Sequence, residues 1–158
     1  MRRLSWKQFE ALTVELLARE YEADSAWLTK EGSDFGADGV LTKGNEAILI
    51  QAKHKQGAYK GHNAVQEVAN AKTLYANNLG REITIQVFIT NATQLAKNTR
   101  DIAKQLGVTI IDGTELAELC ERHAISFGQV ITRLSKQRYV IKVDSKNTNQ
   151  PSLEKAML

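Results

Sequence analysis

The segment GADGVLTKGNEAILIQAKHK, residues 36–55, predicts the centre of the fold. Two apolar runs, at about 37–42 and 46–53, flank a Lys-Gly-Asn turn, and this pattern is typical of a β-hairpin. The second run, EAILIQAK, begins like a buried core strand but ends in Gln51 and Lys53. A strand that is held in the core therefore presents an amide and an ammonium group at its end.

Asp38, near the start of the hairpin, is expected to form a polar cluster with these two residues. Alternate side chains of a strand point to the same face, so Gln51 and Lys53 share a face and Ala52 points to the other. Counting back from the turn places Asp38 opposite residues 50–52. Its carboxylate can therefore approach both polar side chains.

This cluster has the composition of a magnesium site for phosphodiester hydrolysis. The Asp38 carboxylate, the Gln51 amide oxygen and a main-chain carbonyl such as that of Ala52 are hard oxygen ligands, which Mg²⁺ prefers. The Lys53 ammonium can orient an attacking water and stabilise charge in the transition state. Each feature alone is more often structural, because an Asp before Gly is a common turn residue and a Gln or Lys commonly ends a strand in solvent. Their combination on a core hairpin favours a site.

Composition predicts one globular domain. The chain has 158 residues, of which 42% are apolar and 25% are charged, which is ordinary for a protein with a hydrophobic core. Its single cysteine, Cys120, excludes an internal disulfide and lies in a helical pattern. No apolar run approaches the roughly 20 residues of a membrane span, and no signal-peptide run is present at the start. We therefore expect a cytoplasmic protein with no membrane partner.

Positive charge is concentrated in two acid-free stretches, although the formal net charge is only +3. The first lies between Glu46 and Glu67 and contains three lysines and two histidines. The second lies between Glu121 and Asp144 and contains three arginines and two lysines. Such stretches suit a polyanionic partner, because neutralised phosphates release counterions, but two solvated faces explain them equally well.

Apolar periodicity, caps and glycine stops predict helices and strands in alternation along the rest of the chain. The expected elements are a helix at about 6–19 capped by Ser5 and Gln8, a strand at 25–29, a helix at about 63–79, a strand at 82–90 with Ile83, Ile85, Val87 and Ile89 on one face, a helix capped by Asn91 and Gln94, a strand at 108–112 and a helix capped by Asp112 or Thr114. The antiparallel hairpin and the later strand-helix alternation together predict a mixed sheet.

The C-terminal region has a weaker pattern. A short helix in ISFGQVITRL and an edge strand in RYVIKV are expected, followed by a loose tail. We therefore divide the chain into a main domain at 1–122, a basic extension at 123–143 that packs on it, and a flexible tail at 144–158. Trp6 and Trp27 are expected to be packing residues.

Several segments resemble the Mrr-type, type IV restriction endonuclease-like nuclease domain of the PD-(D/E)XK superfamily. They are WKQFEALTVELLAREY, SDFGADGVL, ILIQAKHK and FITNATQLAKNTRDIAKQLGVTIIDGTEL, and they cover roughly residues 5–120. The resemblance implies a restriction-endonuclease-like three-layer α/β fold, in which a central mixed sheet of about five strands is flanked by helices. It also implies Mg²⁺-dependent DNA cleavage, with Mn²⁺ as a substitute for Mg²⁺.

The resemblance assigns the catalytic positions residue by residue. The acidic residue is Asp38, the Gln-x-Lys motif is Gln51 and Lys53, and the helix carboxylate is Glu10, with Glu15 as the alternative. Asp38, Gln51 and Glu10 would bind the metal, together with the main-chain carbonyl of Ala52. Because a glutamine here replaces an acid, the site has one negative charge fewer and is expected to bind metal more weakly.

Residues around this set are assigned to DNA contact and to outer positions. Those predicted to contact DNA are Lys55, Tyr59, Lys60 and His62. They lie on a glycine-containing loop that either closes over a DNA backbone or is an ordinary surface loop. Asp34 would be an outer metal ligand or a turn residue, and Gln66 would reach a phosphate or a water.

The leading hypothesis is a Mg²⁺-dependent DNA endonuclease of the restriction or defence type. The alternatives are a DNA-binding or assembly module with the same fold and little activity, and an RNA-directed, junction-resolving or repair nuclease. Cleavage of two strands usually needs two active sites in this kind of fold, so we expect a homodimer. Recognition of specific DNA would require a separate domain or a partner protein.

Overall fold

The computed structural model describes residues 3–30 and 35–138. The helices are α1 (Trp6–Glu20), α2 (Asn63–Asn70), α3 (Lys72–Leu79), α4 (Lys97–Leu106), α5 (Gly113–Arg122) and α6 (Phe127–Leu134). The strands are β1 (Ser25–Thr29), β2 (Gly39–Lys43), β3 (Glu46–Lys53), β4 (Glu82–Thr90), β5 (Thr109–Ile111) and β6 (Gln137–Arg138). Asp34, the tail at 144–158 and all but the first residue of RYVIKV lie outside the described residues. Within the described ranges, no helix combines the length and the apolar character needed to cross a membrane.

The strands form one mixed sheet in the order β5-β4-β3-β2-β1-β6. The pairs β1–β2 and β2–β3 are antiparallel, whereas β3–β4, β4–β5 and β1–β6 are parallel. The predicted hairpin and the predicted mixed sheet are therefore confirmed. The described sheet has six strands: β1 to β5 match the expected central sheet of about five, and β6, which contains the first residue of the predicted edge strand RYVIKV, extends the edge beyond β1.

Helix α1 forms because its first turn is capped and its apolar residues recur on one face. The Ser5 hydroxyl accepts the N–H of Gln8, and the Gln8 side chain accepts the N–H of Ser5, as predicted. The buried face includes Phe9, Leu16 and Leu17 and packs on one side of the sheet. Full burial of one such side chain contributes about 1.5–3 kcal/mol, so this face holds α1 against the sheet.

The sheet is buried on both faces, which gives three layers. Ile48 and Ile50 of β3 pack on the side of α1, α5 and α6. Leu49 of the same strand packs on the other side, with Val65 of α2 and Tyr75 of α3. The predicted α/β architecture is confirmed, and burial of both faces explains why β3 is a continuous apolar run instead of an alternating one.

Strand β4 contains an irregularity that the sequence did not predict. Ala47 pairs with Ile83 but the next residue of β3 pairs with Ile85, so Thr84 is an extra residue in the ladder. An extra residue reverses the alternation of side chains on either side of it. Ile83 therefore packs on the α2 side, whereas Val87 packs on the α1 side. The prediction that the β4 isoleucines and valine share one face is wrong for Ile83.

Two other predicted elements differ in detail. The helix predicted at 63–79 is divided at Ala71 into α2 and α3, and Gly80 ends α3 in the left-handed conformation (φ 63°). Asp112, and not Thr114, caps α5. Helix α4 has Ala96 as its N-cap residue, with no side-chain hydrogen bond, so the cap predicted at the end of β4 is wrong.

Cations of the C-terminal region hold that region against the rest of the protein. Arg133 of α6 donates to Glu15 of α1, with 2.7 Å between the nitrogen and the carboxylate oxygen. The Arg138 guanidinium of β6 lies 4.3 Å from the ring centroid of Trp27, which is buried as predicted. These two cations of the second acid-free stretch therefore have partners within the protein.

Candidate active site

A cleft of about 330 Å³ opens where β3 ends between α1 on one face of the sheet and α2 on the other. Five of the polar groups that line it come from four elements or their ends: Glu10, Asp38, Gln51, Lys53 and Glu67; Lys7, Thr29 and His54 line it as well. The cleft thus brings together the four predicted catalytic side chains and Glu67, which was not predicted.

Main-chain and side-chain hydrogen bonds hold Asp38 in place. Its N–H donates to the carbonyl of Ile50 at 2.7 Å, and its carbonyl accepts the N–H of Thr29 at 3.0 Å. Its Oδ2 accepts the N–H of Ala52 at 2.9 Å. The predicted placement of Asp38 opposite residues 50–52 is confirmed, and its carboxylate has a defined position beside the end of β3.

Glu10 is the carboxylate that α1 contributes to the cleft. Its side chain is buried, and Lys7 Nζ lies 3.3 Å from its Oε2. Glu15 lies on a different part of α1, where it accepts from Arg133. The helix places Glu10, and not Glu15, in the cleft that Asp38 also lines.

Gln51 lies at the centre of the polar cluster and is only 3% exposed. Its Nε2 donates to Glu67 Oε2 at 2.9 Å. Its Oε1 is buried and accepts no hydrogen bond from any described residue. Since nearly all buried polar atoms have partners, this amide oxygen is available to a ligand in the cleft.

Lys53 and Trp6 lie at the mouth of the cleft. Lys53 is exposed, and its ammonium makes no ion pair or hydrogen bond within residues 3–30 and 35–138. Trp6 is 52% exposed, so the prediction that it is a packing residue is wrong. The Lys7 ammonium lies 4.6 Å from the Trp6 ring centroid, which helps to hold that ring at the rim.

The sequence of residues 1–120 is similar to a known protein family. The family model Mrr_cat, described as a restriction endonuclease, matches residues 1–120. The chain belongs to this family. One similar solved structure is titled "Crystal Structure of Protein of Unknown Function AF1548"; it is 15% identical, with a TM-score of 0.49, and the match covers 90% of this chain and 74% of that one. No curated protein matches the chain.

The donor set of this Mrr_cat domain fits a hard divalent cation. Within the described part of the chain, no three or more His, Cys, Asp or Glu residues are grouped so that they could hold a metal ion. A site here would therefore need the Gln51 amide oxygen besides the carboxylates of Asp38 and Glu10. These are oxygen ligands of the kind that Mg²⁺ prefers. The Gln51 Oε1, which has no partner among the described residues, would add a third oxygen to those of the two carboxylates.

Glu67 was missed from the sequence, although helical spacing contained a signal for it. Ala64, Val68 and Ala71 are buried, and residue 67 lies three after the first and four before the last, on the same side of the helix. Gln66, which was predicted instead, does not line the cleft; both side chains are exposed, and Glu67 is the one that reaches the cleft. The position of residue 67 beside the buried residues of α2 would have favoured it over Gln66.

The loop after β3 is fastened to the segment that precedes α4. Asn91 Oδ1 accepts the N–H of Lys55 at 2.7 Å, which is the contact that Asn91 makes in place of the predicted cap. The Tyr59 N–H donates to Gln94, and the Tyr59 carbonyl accepts from Ala96. These bonds hold the basic loop of the Mrr_cat domain next to the end of β4.

The residues of this loop that were predicted to contact DNA have different environments. Tyr59 is half-buried, with its ring centroid 5.0 Å from that of Phe88. Lys55 and Lys60 are exposed, and His62 directly precedes α2. Tyr59 therefore has a packing role, and contact with DNA by the four residues stays a prediction.

Proposed function

We propose that this protein is a Mg²⁺-dependent DNA endonuclease that hydrolyses phosphodiester bonds. The observation that carries the proposal is the convergence of Glu10, Asp38 and Gln51 in one cleft, with Lys53 at its mouth. Membership of a family described as a restriction endonuclease supports a nuclease of the restriction or defence type.

The residues of the cleft account for metal binding. Asp38, Glu10 and the Oε1 of Gln51 would hold Mg²⁺, with the main-chain carbonyl of Ala52 as a further oxygen donor, and Mn²⁺ would substitute. Bound Mg²⁺ supplies positive charge next to the phosphate and acidifies a bound water. The Asp38 carboxylate has a defined position because Ala52 donates to it, so this ligand is oriented before a cation arrives.

The remaining chemistry depends on Lys53. An ammonium at the mouth of the cleft can orient the attacking water and stabilise the negative charge that develops on the phosphate. The water oxygen forms a bond to phosphorus, the bond from phosphorus to the leaving strand oxygen breaks, and that oxygen gains a proton as the water loses one. Rigid packing of β3 holds Lys53 in place, because the strand is buried up to Ala52.

Cleavage of linear and supercoiled DNA tests the proposal. We expect cleavage with Mg²⁺ or Mn²⁺ and none in EDTA. Asp38→Asn and Lys53→Ala should each lower the rate about 100-fold to 1,000-fold, which is typical of removing one preorganised electrostatic group. The matched controls are Asp101→Asn and Lys104→Ala on the exposed surface of α4, which should cleave like the wild type.

The outcomes separate the proposal from its alternatives. Equal cleavage by the wild type, Asp38→Asn and Lys53→Ala would refute an active site in this cleft. Salt-sensitive DNA binding without cleavage in any divalent metal would favour a binding or assembly module. Faster cleavage of branched DNA or of RNA than of linear duplex would favour a junction-resolving, repair or RNA-directed nuclease.

DNA is the proposed substrate, and a homodimer is the proposed assembly. Cleavage of both strands by a single copy would require the cleft to engage each strand in turn, whereas two copies would provide two clefts. Light scattering with and without a duplex measures the assembly, and a monomer that cuts both strands at once would refute the dimer. A separate recognition domain or partner protein remains the proposed source of sequence specificity.

A further inference from the structure

We infer that Glu67 is a positioning residue that orients the Gln51 amide toward a metal ion, and that it supplies negative charge that a glutamine at this strand position lacks. The inference rests on the proposed metal site. It concerns only how this chain completes that site with an amide in place of a carboxylate.

The hydrogen bond between the two side chains determines which way the amide faces. Glu67 Oε2 lies 2.9 Å from Gln51 Nε2. A carboxylate only accepts hydrogen bonds, and in an amide group only the nitrogen donates them. The nitrogen of Gln51 must therefore face Glu67, and the oxygen must point away from it.

Burial makes this orientation consequential. Gln51 is 3% exposed, and its Oε1 has no hydrogen-bond donor among the described residues. An unsatisfied buried acceptor has lost its hydrogen bonds to water and gained none in return, which destabilises the fold. A fold that retains it next to two carboxylates provides a place where a cation or its bound water would recover that energy.

A close backbone contact brings Glu67 to the site. A Cβ on Gly36 would lie 2.5 Å from the carbonyl oxygen of Glu67, and the φ of Gly36 is +96°. Only glycine allows the chain just before Asp38 to pass this close to α2. The same contact therefore places Asp38 and Glu67 around Gln51.

The charge of Glu67 compensates for the amide. A carboxylate that accepts from the Nε2 of Gln51 polarises the amide and makes its oxygen a better ligand, as outer partners do at other metal sites. The pair Gln51–Glu67 thus combines a neutral ligand with a negative charge one hydrogen bond away. A conventional carboxylate ligand would have the two properties in one side chain.

Exchanging the side chains of Gln51 and Glu67 tests the inference. The readout is the affinity of the metal-free full chain for Mn²⁺, measured by calorimetry. Glu67→Gln keeps the volume but removes the charge and lets either end of the Gln51 amide face α2. We expect Mn²⁺ affinity to fall about 10-fold, the lower end of the effect of an outer partner. The double variant Gln51→Glu with Glu67→Gln should restore affinity, because the charge moves to the strand and a hydrogen bond can still form.

A matched control and a stability measurement distinguish positioning from a structural role. Glu118→Gln makes the same chemical change on the exposed surface of α5 and should leave Mn²⁺ affinity unchanged. The thermal midpoint without metal is measured for every variant. If Glu67→Gln lowers the midpoint but binds Mn²⁺ like the wild type, Glu67 is merely structural and the inference is wrong.

Two further results identify which claim fails. If Asp38→Asn loses Mn²⁺ binding while Glu67→Gln and the double variant both retain wild-type affinity, the metal site stands and the inference about Glu67 is refuted. If the wild type binds no Mn²⁺, with or without a DNA duplex, the proposed metal site fails and the inference fails with it. Failure of the double variant to recover affinity would refute the claim about charge.

Discussion

The carboxylates at the two ends of α1 have different surroundings. Near its C-terminal end, Glu15 accepts from Arg133 at 2.7 Å and Glu20 accepts from Arg122 at 3.0 Å, so each is bound by a cation from another helix. Near its N-terminal end, the cation that contacts Glu10 is Lys7 of α1 itself, at 3.3 Å, and Glu10 lines an open cleft together with other acids and with an amide oxygen that has no partner among the described residues.

All three residues are glutamates of the same helix, so their surroundings distinguish a structural carboxylate from a candidate functional one. Ion pairs that join α1 to α5 and α6 use their carboxylates within the protein. The cleft instead directs oxygen atoms toward a space that a ligand can enter. Changes at the first end should therefore affect stability, and changes at the cleft should affect metal binding and cleavage.

Of the substitutions predicted in this Discussion, removal of Arg133 should produce the largest loss of stability. Arg133 binds Glu15 and also the carbonyl of Ala26, and both charged side chains are largely buried. Arg133→Ala should lower the free energy of unfolding by about 2–3 kcal/mol, because it leaves a largely buried carboxylate without its cation. Urea denaturation measures this, with Lys136→Ala as the exposed control.

The cleavage rate of Arg133→Ala sharpens the comparison. At a temperature where the variant is fully folded, it should cleave DNA and bind Mn²⁺ like the wild type. A folded Arg133→Ala variant with wild-type stability and greatly reduced cleavage would contradict the assignment of this end of α1 to structure.

Gly36 connects stability and the cleft, so its replacement should affect both. Gly36→Ala must strain the φ of +96° and place a Cβ 2.5 Å from the Glu67 carbonyl oxygen. We expect a loss of about 2 kcal/mol in the free energy of unfolding and weaker Mn²⁺ binding. Thermal denaturation and calorimetry measure the two effects.

Gly44→Ala is the matched control for this change. Gly44 also has a positive φ, of +58°, but nothing lies within 4 Å of the position of its Cβ. It should show only the backbone cost, about 1 kcal/mol, with unchanged Mn²⁺ affinity. Equal losses of stability in the two variants, with metal binding intact in both, would show that the contact with α2 is unimportant.

Acid should produce the smallest effect, at the structural end of α1. The pKa of Glu20 lies below its ordinary value of 4.5, chiefly because of its hydrogen bond with His123, with partial burial opposing and Arg122 assisting. A carboxyl group with a lowered folded pKa contributes stability above its unfolded pKa, and this contribution is lost as pH falls through the folded pKa. Because the pair is partly exposed, the loss should be below about 1 kcal/mol.

Comparison of Glu20→Gln with the wild type measures this contribution. The variant should be less stable at pH 7, and the difference should disappear as pH falls below about 4.5, the ordinary pKa of the group. Urea denaturation at several pH values provides the measurement, and Glu118→Gln is the exposed control. A difference that stays constant down to pH 3 would show that ionisation of Glu20 is not its cause.

Local sequence patterns predicted most of the secondary structure. The capping box of α1, the hairpin of β2 and β3 and the glycine stop after α3 are formed by residues that are close in the chain, so their physical causes are visible in the sequence. The errors at Ile83 and Asn91 have another origin. The irregularity in β4 and the bond from Asn91 to Lys55 depend on a neighbouring strand or loop that local patterns do not show.

The candidate site was predictable to the extent that one hairpin builds it. Asp38, Gln51 and Lys53 follow from strand alternation and from counting across a turn, because antiparallel pairing relates positions through the turn itself. The sequence by itself thus determined the α/β class, the hairpin and the three polar residues at its end.

Only the tertiary structure decided which helix residues join the three polar residues of the hairpin. The choice of Glu10 over Glu15 depends on how α1 lies on the sheet, and the approach of Glu67 depends on the close passage of α2 past Gly36. It is the Glu67 contact that gives the Gln51 amide its orientation. These relations join segments far apart in the chain through packing of buried faces, and spacing within each segment does not specify them.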